Sequence, residues 1–383
     1  MAAAIKGFVC TYGDEPTGVW AAPGRVNLIG EHTDYNEGFA LPYALPQRVV
    51  VAAAPADRSA PRRWTVWSAQ VGDRISFTDA EIAPPRRVNG WGAYMAGVVW
   101  SLRSAGFDVP AARLAIVSDV PSGAGLSSSA ALVSAVLSAL IDLGELDVPL
   151  AARPSLAQRA EHYAGIPCGI LDQTASIHCR AGHALFLDCR SAAMEHIPLN
   201  PAAAGLAVLV IDSRAPHQHT TGEYAARRAT CLSAAAALGA PALRDLGIAD
   251  LDAALPRLPD DVARRRVRHV VTENQRVLDV VAALRSDDLL GIGPLLTASH
   301  RSMRDDFEIT VPEVDTAVAA ALTAGAYGVR MTGGGFGGCI LALVDADRVP
   351  AVAAAVIDVY DECDYRPPEF LLAAPAGGAE RIG

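Results

Sequence analysis

The chain has almost no lysine: Lys6 is the only one among 383 residues, and arginine supplies nearly all of the positive charge. That scarcity argues against a Walker loop, which needs a lysine after its last glycine, and against a protein-kinase site, which needs one on a strand, because Lys6 stands in neither context. Schiff-base chemistry is disfavoured on the same ground. The seven cysteines contain no CxxC pair, so no zinc or disulfide framework is expected, and Cys168, Cys179, Cys189 and Cys339 read as small buried hydrophobes. Long apolar runs are also missing. The longest, Ala130 to Ile141, stops at Asp142, short of a membrane span, and the first ten residues lack a hydrophobic core of signal-peptide length. A cytoplasmic protein is expected. With a formal charge of −10, a broad cationic surface for nucleic acid or anionic lipid is not expected, and any bound anion must be held locally.

What is present is a large supply of apolar residues, 51% of the chain, with no stretch polar enough to stay disordered. The length favours two closely packed domains. Residues 16–53 and 64–77 alternate β-rich runs with turns, 91–102 has helical periodicity, and 114–117 reads as a strand. Helical patterns follow at 155–163, 223–238, 262–285 and 313–324, with strands at 184–188, 206–211, 327–331 and 339–344. Strands interleaved with helices, without regular βαβ spacing, predict an α+β fold. The Pro- and Ala-containing stretch 191–204 reads as a linker, which places domains at 1–195 and 196–383.

Three segments carry chemistry. Val120-Pro-Ser-Gly-Ala-Gly-Leu-Ser-Ser-Ser-Ala-Ala-Leu132 follows a strand and opens a helix, so the backbone N–H groups of Gly123 to Ser129 can converge on an anion at the helix N-terminus. A flexible turn with a serine cap would explain a lone GxG, but three consecutive serines at the positive end of a helix favour phosphate. One of those hydroxyls can also ligate magnesium. The segment from Ala22 to Gly38 packs Arg25, Asn27, Glu31, His32, Asp34 and Asn36 together, a density of donors and acceptors suited to a sugar. Gly328 to Gly338 sets five glycines in six positions between two strands, a cost in chain entropy that makes sense where backbone must approach a ligand or another loop closely. His217 and His219 resemble a metal pair only superficially and read as loop residues.

In this order, the three segments resemble the signature motifs of the GHMP superfamily of small-molecule kinases, and Gly24 to Tyr35 is similar to the signature of its galactokinases in particular. Four further stretches fit in register: Ala160 to Gln173, Gly222-Glu-Tyr224, Thr272-Glu-Asn-Gln-Arg276 and Ser302-Met-Arg-Asp-Asp-Phe307. The resemblance implies a two-domain GHMP kinase fold. Its N-terminal domain would be ribosomal-protein-like α+β, its C-terminal domain a ferredoxin-like α/β sandwich, with the active site in the cleft between. It also implies ATP- and Mg²⁺-dependent phosphorylation of the C1 hydroxyl of galactose, the first step of galactose breakdown; nothing in the sequence points to a stable oligomer, so a monomer is expected.

The residue roles implied are Asp172 as base with Arg25 as its partner, and Glu31, His32, Thr33, Asp34 and Tyr224 as sugar contacts. ATP would lie on Gly123, Ala124, Gly125, Leu126, Ser127, Ser128 and Ser129, with Ser68 and Trp91 at its nucleoside end and magnesium between Ser129 and Glu161. An arginine beside a carboxylate favours its ionised form and can stabilise a transferring phosphoryl group. One residue fewer separates Glu161 from Tyr163 than in the family pattern. That deletion turns a helical side chain by about 100° unless the turn at 164–168 absorbs it. Kinases for mevalonate or homoserine should lack Glu31-His32-Thr33-Asp34, whereas kinases for related sugars would share it. A non-catalytic sugar sensor would be free to lose the base or the phosphate loop, and both are intact.

Overall fold

The computed structural model describes residues 1–57, 61–83, 88–215 and 220–383; His217 and His219 lie outside the described residues. Three sheets organise the chain. The largest has six strands in the spatial order Glu380–Arg381, Gly18–Asn27, Pro42–Pro55, Ala112–Ser118, Arg63–Ser68, Asp73–Thr78. All its pairings are antiparallel except that of Ala112–Ser118 with Arg63–Ser68. A four-stranded sheet orders Gly328–Thr332, Cys339–Asp345, Leu206–Asp212 and Glu369–Leu372, and a small third sheet joins Phe39–Ala40, His183–Asp188 and Met194–Pro198. This mixture of antiparallel sheets and packed helices is the expected α+β class.

Burial explains why these segments fold as they do. Every residue of Gly18–Asn27 is buried, because helix Ser128–Leu143 covers the strand from one side while neighbouring strands flank it. That helix is apolar all round, and eleven of its sixteen residues are buried, the pattern of a core helix rather than a surface one. Helix Asp261–Arg285 is amphipathic instead. It turns Val267, Val270, Val277, Val280, Val281 and Leu284 inward, and it starts cleanly because the Asp260 carboxylate accepts a hydrogen bond from Ala263 N at 2.7 Å. The largest core cluster draws on both halves of the chain, joining Trp20, Tyr43 and Trp64 to Leu206, Val277 and Leu341. Among the described residues no helix is long and apolar enough to cross a membrane.

The stretch 191–204 is not an irregular linker. It contains the strand Met194–Pro198, paired antiparallel with His183–Asp188, and a 3₁₀ turn over Pro201–Ala204. Only Ile197 of that strand is buried, so its hydrophobic pattern is too faint to register, and Pro198 is tolerated because it closes an edge strand. The last residues of the chain also return to the first sheet: Arg381 pairs with Trp20 and Glu380 with Ala21.

Candidate active site

A break in strand register builds the site. The pairing of Gly18–Asn27 with Pro42–Pro55 slips between Pro23 and Arg25, a bulge at Gly24. A side chain could not replace that glycine: its Cβ would lie 2.7 Å from the Leu126 carbonyl, which accepts from Arg25 N at 3.1 Å. The bulge therefore brings Arg25 against the 120–129 loop. There its Nη1 donates to the Gly125 carbonyl at 2.7 Å, and its Nε and Nη2 both reach Asp172 Oδ1, at 2.8 and 2.5 Å. Asp172 sits in the first turn of helix Leu171–His178, where the helix dipole favours a carboxylate. Its other oxygen accepts from Ser127 Oγ at 2.6 Å.

The 120–129 loop is held in an unusual conformation. Gly123, Gly125 and Ser127 have φ of 79°, 76° and 58°. Ala124 and Leu126 anchor the loop in the core while the two glycines stay exposed. Ser127 stands at the N-cap position of helix Ser128–Leu143, yet its hydroxyl does not cap the helix, being committed to Asp172. The first N–H groups of the helix are thus left without a side-chain acceptor, which suits an anion.

Two cavities meet at Ser129. The first, of about 220 Å³, is lined by Arg25, Glu31, His32, Asp34, Glu161, Gly169, Asp172, Tyr224 and the backbone of Gly333 and Gly334. The second, of about 210 Å³, is largely apolar, with Val49, Val71, Trp91, Ile116 and Leu132 on its walls together with Ser68, Ser122, Ser128 and Ser129. A polar chamber and an apolar one joined at a helix N-terminus can place an alcohol, a phosphate chain and a flat aromatic group in line.

In the polar chamber each side chain is already aimed. Gly333 N and Thr332 Oγ1 donate to Glu31 Oε1 at 2.8 and 3.1 Å. Burial raises the proton affinity of Glu31, opposed by the nearby Arg330 guanidinium. His32 Nε2 donates to the Gly334 carbonyl at 3.1 Å while its Nδ1 lies 2.7 Å from the Tyr35 hydroxyl. Burial drives its pKa down to about 3, so it is a neutral imidazole. Asp34 is pushed up to about 6, first by burial and then by Asp172 and Glu31. Glu161 is pushed up to about 7, chiefly by burial, against hydrogen bonds from Ser129 and Gln173. The glycine-rich segment closes this chamber, with Gly333 against Gly125 and Gly335 against the Ile309 carbonyl, where a Cβ would stand 2.6 Å away.

A family description, "Galactokinase galactose-binding signature", matches residues 6–55. Two more, "GHMP kinases N terminal domain" and "GHMP kinases C terminal", match 93–180 and 280–362. A galactokinase of Streptomyces coelicolor is 50% identical over 374 residues, covering 97% of this chain and 96% of its own length. The chain belongs to the galactokinase family. A galactokinase of Bos taurus is 40% identical over 99% of this chain and 96% of its own. The structure of Lactococcus lactis galactokinase in complex with galactose superposes with a TM-score of 0.94 at 32% identity, over 100% of this chain and 99% of that one. A Methanococcus jannaschii mevalonate kinase, at 14% identity and a TM-score of 0.67, shares the GHMP fold.

Within this family framework most of the expected residues converge. Asp172, Arg25, Glu31, His32, Asp34, Tyr224, Glu161 and Ser129 line one chamber, and Ser68 and Trp91 line the other. Glu161 is not turned away by the shortened segment. Gly165 ends its helix in the left-handed conformation, and Ile166 N bonds back to the Glu161 carbonyl at 3.0 Å, so the turn takes up the missing residue.

Three expectations need correction. Thr33 lies outside the cavity: it is fully buried, and its hydroxyl donates to the carbonyls of Gly30 and Phe39 at 2.8 and 2.7 Å, tying the sugar loop to itself. Ser127 commits its hydroxyl to Asp172 and does not cap the helix, so that hydroxyl is not directed at a phosphate. Cys168 is not simply a buried hydrophobe. It is half-buried on the chamber wall, with Sγ 3.4 Å from Gln173 Nε2, and Cys189 is likewise half-buried.

Residue-type reasoning missed Gln173, which donates to Glu161 Oε2, and the buried Arg330 and Glu273 behind the sugar loop. Arg330 was detectable in principle, as a lone cation inside the apolar strand Gly328–Thr332.

Proposed function

We propose that this protein transfers the γ-phosphoryl group of ATP to the C1 hydroxyl of galactose, giving galactose 1-phosphate and ADP. One observation carries the reading. A carboxylate fixed by an arginine and a serine, Asp172, faces a chamber rich in hydrogen-bonding groups, and that chamber opens at Ser129 onto an apolar recess at the N-terminus of a long helix. Galactose would lie among Glu31, His32, Asp34 and Tyr224, and the adenosine of ATP beside Ser68 and Trp91. The phosphates would then meet the backbone N–H groups of the segment from Gly123 to Ser129.

Asp172 orients the attacking hydroxyl and takes its proton, while Arg25, shared between Asp172 and the phosphate loop, offsets charge on the group in flight. Positioning contributes more than deprotonation in a loose phosphoryl-transfer transition state. The neutral His32 serves as a polar wall, and Glu31 is held by Gly333 and Thr332 to accept a sugar hydroxyl. The chain would act as a monomer in the cytoplasm.

Ser129 and Glu161 fit a magnesium ion. The pair offers one hydroxyl and one carboxylate next to the phosphate loop, and magnesium takes one or two protein oxygens and fills its remaining positions from phosphate and water. Glu161 is only 2% exposed and makes no ion pair among the described residues, as expected for a carboxylate that awaits a cation. When bound there, the ion would neutralise charge on the β- and γ-phosphates.

Two measurements test these assignments. Release of ADP across a panel of galactose, N-acetylgalactosamine, arabinose, mevalonate and homoserine is expected to be fast for galactose; negligible turnover on galactose with robust turnover on another compound would overturn the substrate. Glu161→Gln is expected to raise the magnesium concentration needed for half-maximal rate and also to stabilise the ligand-free protein at alkaline pH. The sign follows from the raised pKa. Between about 4.5, the ordinary value, and about 7, the folded state holds a proton that the unfolded chain has lost, so stability falls as pH rises through that window. Glutamine removes the penalty, so Tm is expected to rise by about 1–2 °C per kcal/mol relieved at pH 8.5, and by almost nothing at pH 4.5. An equal change at both pH values would remove Glu161 as the source.

A further inference from the structure

We propose that Glu273 is a positioning residue for the galactose loop, holding that loop in its binding shape from behind, on the side away from the sugar chamber. The inference rests on the reading that residues 25–34 bind the sugar, and it gives a task to the Thr272–Arg276 stretch, whose role in the reaction the site chemistry leaves open.

Glu273 is fully buried on helix Asp261–Arg285. Its Oε1 accepts from Gly30 N at 3.0 Å and from Ser299 Oγ at 2.7 Å, and its Oε2 accepts from Arg276 Nε at 2.8 Å. Gly30 lines the sugar chamber and adopts φ of 99°, pressed so close to Phe39 and Ala40 that a Cβ would lie 2.6 Å from the Phe39 carbonyl. Inside the loop, the Gly30 carbonyl ties Asn27 Nδ2 and Thr33 Oγ1 together at 3.0 and 2.8 Å. Its N–H is the point at which the helix takes hold of this turn.

Arg330 extends the grip. Also fully buried, it donates from Nη1 to the carbonyls of Asn27 and Leu28 at 3.0 and 2.9 Å, and it stands 3.7 Å from Glu31 on one side and 3.7 Å from Glu273 on the other. Glu273 thus balances a cation that would otherwise face Glu31 alone. Neighbouring residues of the same helix complete the hold: His269 Nε2 donates to the Glu31 carbonyl at 3.2 Å, and Asn274 Oδ1 accepts from Phe39 N at 2.9 Å. Burial alone would raise the pKa of Glu273, but Arg276 and Arg330 outweigh it and bring it to about 2, so the anchor stays charged across the working range.

None of these groups touches the ATP recess, and that asymmetry separates positioning from plain stability. In Glu273→Asp the charge is kept but the carboxylate is withdrawn by one methylene. Galactose affinity, measured by calorimetry without nucleotide, is expected to weaken about 10- to 100-fold, the worth of a hydrogen bond to a charged group, with ATP affinity unchanged. KM for galactose should rise in the same proportion, with KM for ATP constant. Ser299→Ala, which removes one donor to Glu273 and nothing from the chamber, is expected to give the same selective loss at about threefold. It decides the matter if Glu273→Asp does not fold. Equal losses for galactose and ATP in folded protein, or no loss of galactose affinity in Ser299→Ala and Glu273→Asp, would overturn the proposal. Failure of the unaltered protein to bind galactose would instead overturn the sugar reading itself.

Discussion

Asp172→Asn is expected to lower kcat by about 10²- to 10⁴-fold while leaving the affinities for galactose and ATP close to their original values. The substitution keeps size and shape. Its amide oxygen can still accept from Arg25, and Ser127, whose hydroxyl now donates to Oδ2 at 2.6 Å, can rotate to accept from the new N–H. Arg25 also retains its bond to the Gly125 carbonyl, so the phosphate loop keeps its support. What disappears is the ability to take the proton of the attacking hydroxyl and the negative charge that balances Arg25. Initial-rate assays of ADP release, combined with calorimetric binding of each substrate, would separate the two contributions. Turnover retained within a fewfold would show that positioning by Arg25 and the loop suffices and that Asp172 is not the base. A parallel collapse of ATP affinity would show that the pair holds the loop together.

The elements and motifs that local chemistry governs were legible in the sequence. The helix after Ser127 and the strands at 206–211 and 339–344 all stand where periodicity places them, because each is apolar in a pattern that only a buried helix or strand explains. The phosphate loop was legible for the same reason: glycines at 123 and 125 are needed for positive φ, and a helix N-terminus follows at once. What escaped was set by distant partners. Nothing near Thr33 reveals that its hydroxyl is consumed by Gly30 and Phe39, since the loop must close before those carbonyls come within reach. Nothing near Ser127 indicates Asp172, 45 residues away. The strand Met194–Pro198 has one buried residue and exists because His183–Asp188 offers an edge. Glu273 and Arg330 become meaningful only when two segments remote in sequence face the same turn. Buried charge is expensive alone and tolerable in pairs; Glu273 has one partner close by in Arg276, but Arg330 and Gly30 reach it from distant segments.

Gly169→Ala is the second substitution expected to have a large effect, and it acts on the sugar rather than on the proton. Gly169 does not occupy the left-handed backbone region, so alanine brings no strain of its own there. The space does not exist, however: a Cβ would stand 1.6 Å from Asp34 Oδ2 and 2.7 Å from its Cγ. The atoms in the way belong to a side chain, which can swing aside where backbone could not, and the fold is therefore expected to survive with Asp34 displaced from the chamber. Losing a charged acceptor to a sugar hydroxyl is expected to raise KM for galactose about 10- to 100-fold, with KM for ATP unchanged because the nucleotide recess is lined by other residues. Asp34→Ala should give a similar increase, and combining the two should add little, since both remove the same contact. Fully additive losses in the double variant would mean that Gly169 works through something other than the room it leaves for Asp34. A normal KM in Gly169→Ala would mean that the carboxylate is not a sugar contact at all.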